Sequence, residues 1–168
     1  DIYIAGYYFA GTIPNLFPVF IIQKWNGSSW SSVPTPASGQ VSTLAVSGTD
    51  LYAGGWFGSG PSGINKIAKW NGTSWSAVGS FGSSSGEVSD IVVSGNDVHV
   101  GGSFSTADGI TVNNVARWNG SSWSALGAGT NGLVNRLAVV GSDLYATGSF
   151  TTAGCNASDR IGRYATRF

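Results

Sequence analysis

Lys24–Trp30 reads KWNGSSW, and the pattern returns as KWNGTSW at Lys69–Trp75 and as RWNGSSW at Arg117–Trp123. Asn-Gly between two β-type runs is the strongest short-range hairpin signal. Each copy is therefore expected to join two strands through a tight primed turn. Two other readings attach to the same residues. Paired tryptophans suit a sugar-binding box, and N-x-(Ser/Thr) is a glycosylation signal, starting here at Asn26, Asn71, Asn119 and also Asn156.

Two further motifs keep step with the first. One reads DIYIAG at Asp1, DLYAGG at Asp50, DVHVGG at Asp97 and DLYATG at Asp143. The other precedes it as VSTLAVSGTD, VSDIVVSGND and VNRLAVVGSD. The tryptophan series Trp25, Trp70, Trp118 ends at Tyr164. The chain is thus one repeat of roughly 46 residues, divided approximately as 1–37, 38–84, 85–131 and 132–168 within a single domain 1–168. Each full repeat holds four short β-type runs. In order these are Val41–Val46, Leu51–Ala53, Ile67–Trp70 and Ser74–Val78, with their equivalents, and no helical period competes. A four-stranded unit repeated at this length is the signature of a β-propeller blade, whose two faces are buried only by its neighbours. The expected fold is all-β, a β-propeller-type array. Tyr3, Tyr52, Tyr145 and the tryptophans fill the wedges between sheets, with His99 in a tyrosine slot.

The combination GGSF at Gly101–Phe104, VARWNGSSW at Val115–Trp123 and LVNRLAVVGSDLY at Leu133–Tyr145 resembles the Kelch-like propeller repeats of secreted and cell-surface proteins. The resemblance runs through all four repeats. It implies the fold and leaves function open, since propellers host binding, scaffolding and catalysis alike.

The strands number three, four, four and three, so the first and last blades are expected to be incomplete. Short blades, a fragment of a larger propeller, or strands supplied by a second chain would each account for that. An unpaired strand edge is a template for another chain. A homo-oligomer or larger assembly through the terminal blades is therefore expected.

Composition narrows the function classes. Only 10% of residues are charged, with 8 basic and 8 acidic side chains and no net charge, against about 25% charged in an average domain. That argues against nucleic acid as a partner and favours self-association. No run is apolar and long enough to span a membrane. The single cysteine, Cys155, leaves no intrachain disulfide. The lack of methionine and the wealth of Ser, Thr and Gly read as an exported, trimmed product, so an extracellular or cell-surface location is expected.

Catalytic signals are weak. Asp1, Asp50, Asp97 and Asp143 sit in a repeated turn, where Asp accepts local backbone hydrogen bonds. The remaining acids have no spacing that suggests acid/base work, and one His with one Cys makes no zinc or copper set. Neither enzyme, cofactor nor metal is expected. Lys24, Lys69, Arg117 and Arg163 precede the aromatic of the third strand and are expected to make a repeated contact between blades. The segment after the second strand varies most. In repeat 1 it is YYFAGTIPNLFPVF, read as an aromatic-rich loop. Loops on rigid scaffolds carry binding residues. The candidate binding residues are Tyr7, Tyr8, Phe17, Phe20, Trp56, Asp108 and Arg136. The expected function is a structural or adhesive module that self-associates. The alternative is a lectin-like propeller that binds glycans between its blades.

Overall fold

The computed structural model describes residues 1–12, 14–58, 63–82 and 86–165. All elements among them are strands. Sheet 1 is β1 (Ile2–Thr12), β2 (Asn15–Trp25) and β3 (Trp30–Val33). Sheet 2 is β4 (Gly39–Ser47), β5 (Asp50–Phe57), β6 (Ile67–Trp70) and β7 (Trp75–Ala77), a meander in chain order. After the short β8 (Phe81–Gly82), sheet 3 takes β9 (Val88–Ser94) and β10 (Asp97–Gly102), then β13 (Val115–Trp118) and β14 (Trp123–Ala125). Between them, β11 (Thr106–Ala107) pairs with both β8 and β12 (Ile110–Thr111) in a small separate sheet. Sheet 4 is β15 (Val134–Val140), β16 (Asp143–Gly148) and β19 (Ile161–Ala165), with the hairpin β17 (Thr152–Ala153) and β18 (Asn156–Ala157) beside it. Every pairing is antiparallel, and the four main sheets hold the three, four, four and three strands expected.

Each sheet has two unlike faces, because strand side chains alternate. One carries Tyr3, Tyr52, His99 or Tyr145 and is called here the tyrosine face. The other carries Ile2, Leu51, Val98 or Leu144 and is the aliphatic face. The tyrosine face of each sheet packs on the aliphatic face of the next. Tyr3 and Ile22 meet Leu51, Tyr52 and Ile67 meet Val98 and Val100, and Val115 meets Leu144 and Ala146. Gly54 and Gly101 lie on the tyrosine faces where the first strand of the next sheet crosses. A Cβ on them would come within 2.6 Å of Val88 and 2.5 Å of Val134. Apolar burial in these interfaces is the dominant folding term, at roughly 25 cal/mol per Å².

The tryptophans bind neighbouring repeats together. Within each hairpin the two indoles meet as a cross-strand pair, with centroids 5.4, 5.5 and 5.3 Å apart for Trp25–Trp30, Trp70–Trp75 and Trp118–Trp123. Trp75 Nε1 donates to the Pro34 carbonyl and Trp123 Nε1 to that of Val78, both at 2.6 Å. Each bond reaches back one repeat. Phe81 stands edge-on to Phe104 and Trp123, at 4.8 and 4.9 Å.

The Asn-Gly hairpins form, but in a different frame from the one expected. Trp25 pairs with Trp30, so the loop is the four residues 26–29, and Gly27 rather than Asn26 has positive φ. Asn26 Oδ1 accepts the N–H groups of Ser28 and Ser29 at 2.9 Å. Asn71 and Asn119 repeat the arrangement. The asparagine side chain supplies the acceptor that closes the turn.

The repeated charges also pair differently from the expectation. Lys24–Asp1, Lys69–Asp50, Arg117–Asp97 and Arg163–Asp143 are ion pairs at 2.9, 3.1, 2.9 and 2.8 Å. They lie within one sheet, not between sheets. The base faces the tyrosine slot across the strands, as in Tyr52↔Lys69, and the aspartate is its diagonal neighbour. Pairs as exposed as those of sheets 2 and 3 contribute under about 1 kcal/mol each, so they fix register more than stability. In sheet 3 this stripe runs past His99, which is fully buried and has no hydrogen-bond partner for Nδ1 or Nε2 among the described residues. Burial lowers its pKa, Asp97 opposes that, and Arg117 adds to it.

Two outcomes follow for stability. Asn71→Ala should cost about 1–2 kcal/mol, the net worth of two hydrogen bonds, whereas Asn71→Asp keeps the acceptor and most of the stability. Urea midpoints of the three proteins measure the difference. Burial makes His99 harder to protonate in the fold than in the unfolded chain, so stability falls as pH drops below about 6.5, its unfolded value. The loss continues until the folded pKa is passed. His99→Phe should remove this slope, which for one group is at most about 1.4 kcal/mol per pH unit.

Candidate functional site

The near ends of the four sheets converge on one hollow of about 710 Å³. Sheet 1 contributes Ala5, Gly6, Tyr7 and Phe20, and sheet 2 contributes Gln40, Val41 and Ser42. Glu87 and Ser89 come from the entry to β9, and Asn135 and Arg136 from the start of β15. The volume lies in the usual range of ligand pockets, about 300–1,000 Å³.

The walls are held by the innermost strands. Asp90 on β9 links three sheets at once: Oδ1 accepts from Thr43 Oγ1 at 3.3 Å on β4, and Oδ2 from the Leu137 N–H at 2.8 Å on β15. Ser89 Oγ donates to Glu87 Oε1 at 3.0 Å, which orients that carboxylate. Arg136 is exposed and its Nη1 donates to the Asn135 carbonyl at 2.7 Å. Sheet 1 has no innermost strand of this kind among the described residues. Its place on the rim is taken by Tyr7 and Phe20, with ring centroids 5.9 Å apart.

Those two aromatics stand on a feature that the sequence suggested was a loop. YYFAGTIPNLFPVF is a two-stranded ribbon: β1 and β2 stay paired from Ile2↔Trp25 out to Thr12↔Asn15, and Ile13 lies outside the described residues. The ribbon divides the predicted aromatics between its faces. Tyr7, Phe9 and Phe20 share the tyrosine face, with Tyr7 edge-on to Phe9 at 5.8 Å. Tyr8 and Phe17 lie on the opposite face and are exposed.

The structure thus brings together Tyr7, Phe20 and Arg136, and separates them from the other predicted residues. Trp56, the counterpart of Tyr7 in repeat 2, lines a second hollow of about 460 Å³ with Ser38, Asn65 and Lys66. Lys66 is buried there, which lowers its pKa. Asp108, between β11 and β12, ties that hairpin to the segment before β8: its Oδ1 accepts the Ser80 N–H at 2.7 Å. Asn26, Asn71, Asn119 and Asn156 are all exposed, the first three at hairpin tips and Asn156 in the β17–β18 hairpin. Sequence reasoning missed Gln40, Glu87 and Asn135. The signal was the polar side chain that changes from repeat to repeat at the entry to the innermost strand.

The end sheets show a second set of candidate contacts. Leu51, Val98 and Leu144 are at most 1% exposed, yet Ile2 at the same register is 58% exposed. Ala53, Val100 and Ala146 are fully buried, and their counterpart Ile4 is 49% exposed. On the tyrosine side, Ile22, Ile67 and Val115 are at most 1% exposed, while Ile161 in sheet 4 is 62% exposed. Trp30, counterpart of the buried Trp123, is exposed as well. Sheet 1 therefore leaves its aliphatic face open, and sheet 4 its tyrosine face.

No protein-family model matches the chain, and no curated protein matches it.

Proposed function

We propose that the chain is a non-catalytic β-propeller-type module, extracellular or on a cell surface, that self-associates through its end sheets as a structural or adhesive element. One observation carries the reading: the two open faces are the two halves of an interface the chain already makes three times. Sheet 1 offers Ile2, Ile4, Trp25 and Trp30, the face that in sheets 2 to 4 is covered by a tyrosine face. Sheet 4 offers Asp143, Tyr145, Arg163 and Ile161, a tyrosine face like those that do the covering. Sheet 4 of one copy set on sheet 1 of another repeats that packing. Such a head-to-tail contact is heterologous, and it closes into a ring or grows into a filament according to the rotation per copy. The propeller reading is supported by the repeat length, the stacked meanders and the resemblance to Kelch-like repeats. The exported location is supported by the composition.

Trp70, Trp75, Trp118 and Trp123 are engaged in packing between sheets.

The test is mass in solution. Sedimentation velocity over a wide concentration range should show a species larger than the 17.2 kDa chain. Ile4→Lys and Ile161→Lys should each abolish growth beyond a single copy. Mixed together, the two variants should form a dimer and stop there, because each retains the face that the other has lost. A wild-type chain that stays monomeric at the highest concentration reached would overturn the proposal.

A further inference from the structure

We infer that the central hollow is a binding site for an uncharged saccharide. The inference stands on the hollow alone and does not depend on self-association.

The chemistry of the lining selects the ligand. Among the described lining residues Glu87 and Arg136 are the two charged side chains, one of each sign, so together they give no net charge to attract a phosphate or a cation. Arg136 already spends one donor on the Asn135 carbonyl. Beside them, the amides of Gln40 and Asn135 and the hydroxyls of Ser42 and Ser89 supply donors and acceptors in about equal measure. A purely apolar ligand would leave these groups desolvated and unpaired, which opposes its binding. A ring with many hydroxyls answers both donors and acceptors. It also has apolar C–H faces, and the hollow has one apolar wall to receive them: Tyr7 and Phe20, tilted at 52° to each other.

The placement of the aromatics supports the same reading. Tyr7 is 60% exposed, although it stands at the mouth of a hollow that residues of four sheets line. The equivalent positions in repeats 3 and 4 are Ser103 and Ser149, which lie outside the central hollow. The ribbon puts an exposed ring where the polar groups of the other three sheets converge. A few polar groups around an aromatic wall is the usual composition of a small-ligand site.

The experiment is calorimetric titration of the full chain with uncharged oligosaccharides of glucose, mannose, galactose and N-acetylglucosamine, beside inorganic phosphate and a uronic-acid oligomer. At least one uncharged sugar should bind saturably. Tyr7→Ala should weaken it tenfold or more, and Tyr7→Phe, which keeps the ring, should stay within a few-fold of wild type. Glu87→Gln and Arg136→Ala should each weaken it several-fold. Circular dichroism of each variant separates lost binding from lost folding. Ile4→Lys, which acts on the opposite face of sheet 1, should bind sugar like the wild type, so failure of assembly and failure of binding are read separately. The inference is overturned if no uncharged sugar saturates, if only the charged ligands bind, or if a folded Tyr7→Ala binds as well as wild type.

Discussion

Each sheet of this protein is too narrow to survive alone. Three or four short strands present two apolar faces, and both must be covered by something other than water. Face-to-face stacking is the constraint on which the other features depend. It explains why Gly54 and Gly101 carry no side chain, since the next sheet's first strand occupies that space. It explains why Leu51, Val98 and Leu144 are fully covered while their counterpart Ile2 is not. It also sets the role of the ion pairs. They sit on the tyrosine faces, where an unpaired charge would be costly to cover, and pairing within one sheet lets that sheet pack on its neighbour without importing a partner.

Much of this order was legible in the sequence, because the repeat states it several times. The strand count per repeat, the hairpins and the paired tryptophans follow from motifs recurring at fixed spacing. What was not legible depends on pairing register. Asp50 and Lys69 are far apart in the chain, and only the Tyr52↔Lys69 pairing makes them diagonal neighbours. The turn at Asn26 was read with asparagine and glycine as its two central residues. The Trp25↔Trp30 register moves the asparagine out of the centre and gives its side chain the closing bonds. The ribbon was hidden for another reason. Gly11, Pro14 and Asn15 are turn formers, and a segment rich in them reads as a loop, although here they cluster at the tip and leave the flanks free to pair.

The candidate site was legible in part for the same reason. Tyr7 and Phe20 were legible as aromatics of the segment that varies most between repeats, where repeats 3 and 4 are polar and repeat 2 has Trp56. Gln40, Glu87 and Asn135 were not, since a polar residue at the start of a strand is unremarkable on its own. Their meaning comes from the stacking of the sheets, which brings the starts of β4, β9 and β15 to one hollow although they are far apart in sequence.

Sheet 1 is where these threads meet. In sheets 2 to 4 an innermost strand lines the hollow, with Asp90 bonding β9 to β4 and β15. Sheet 1 presents β1 there instead, and the paired ribbon carries aromatic rings to the rim. The same sheet turns its opposite face, with Ile2, Ile4 and Trp30, toward solvent. Strand alternation keeps the two surfaces apart: Tyr3, Tyr7 and Phe20 point to one side and Ile2, Ile4 and Tyr8 to the other. One hairpin can therefore serve contacts between copies on one face and line a ligand site on the other. A substitution on either face need not disturb its neighbour, since adjacent residues in a strand share a backbone but not a surface.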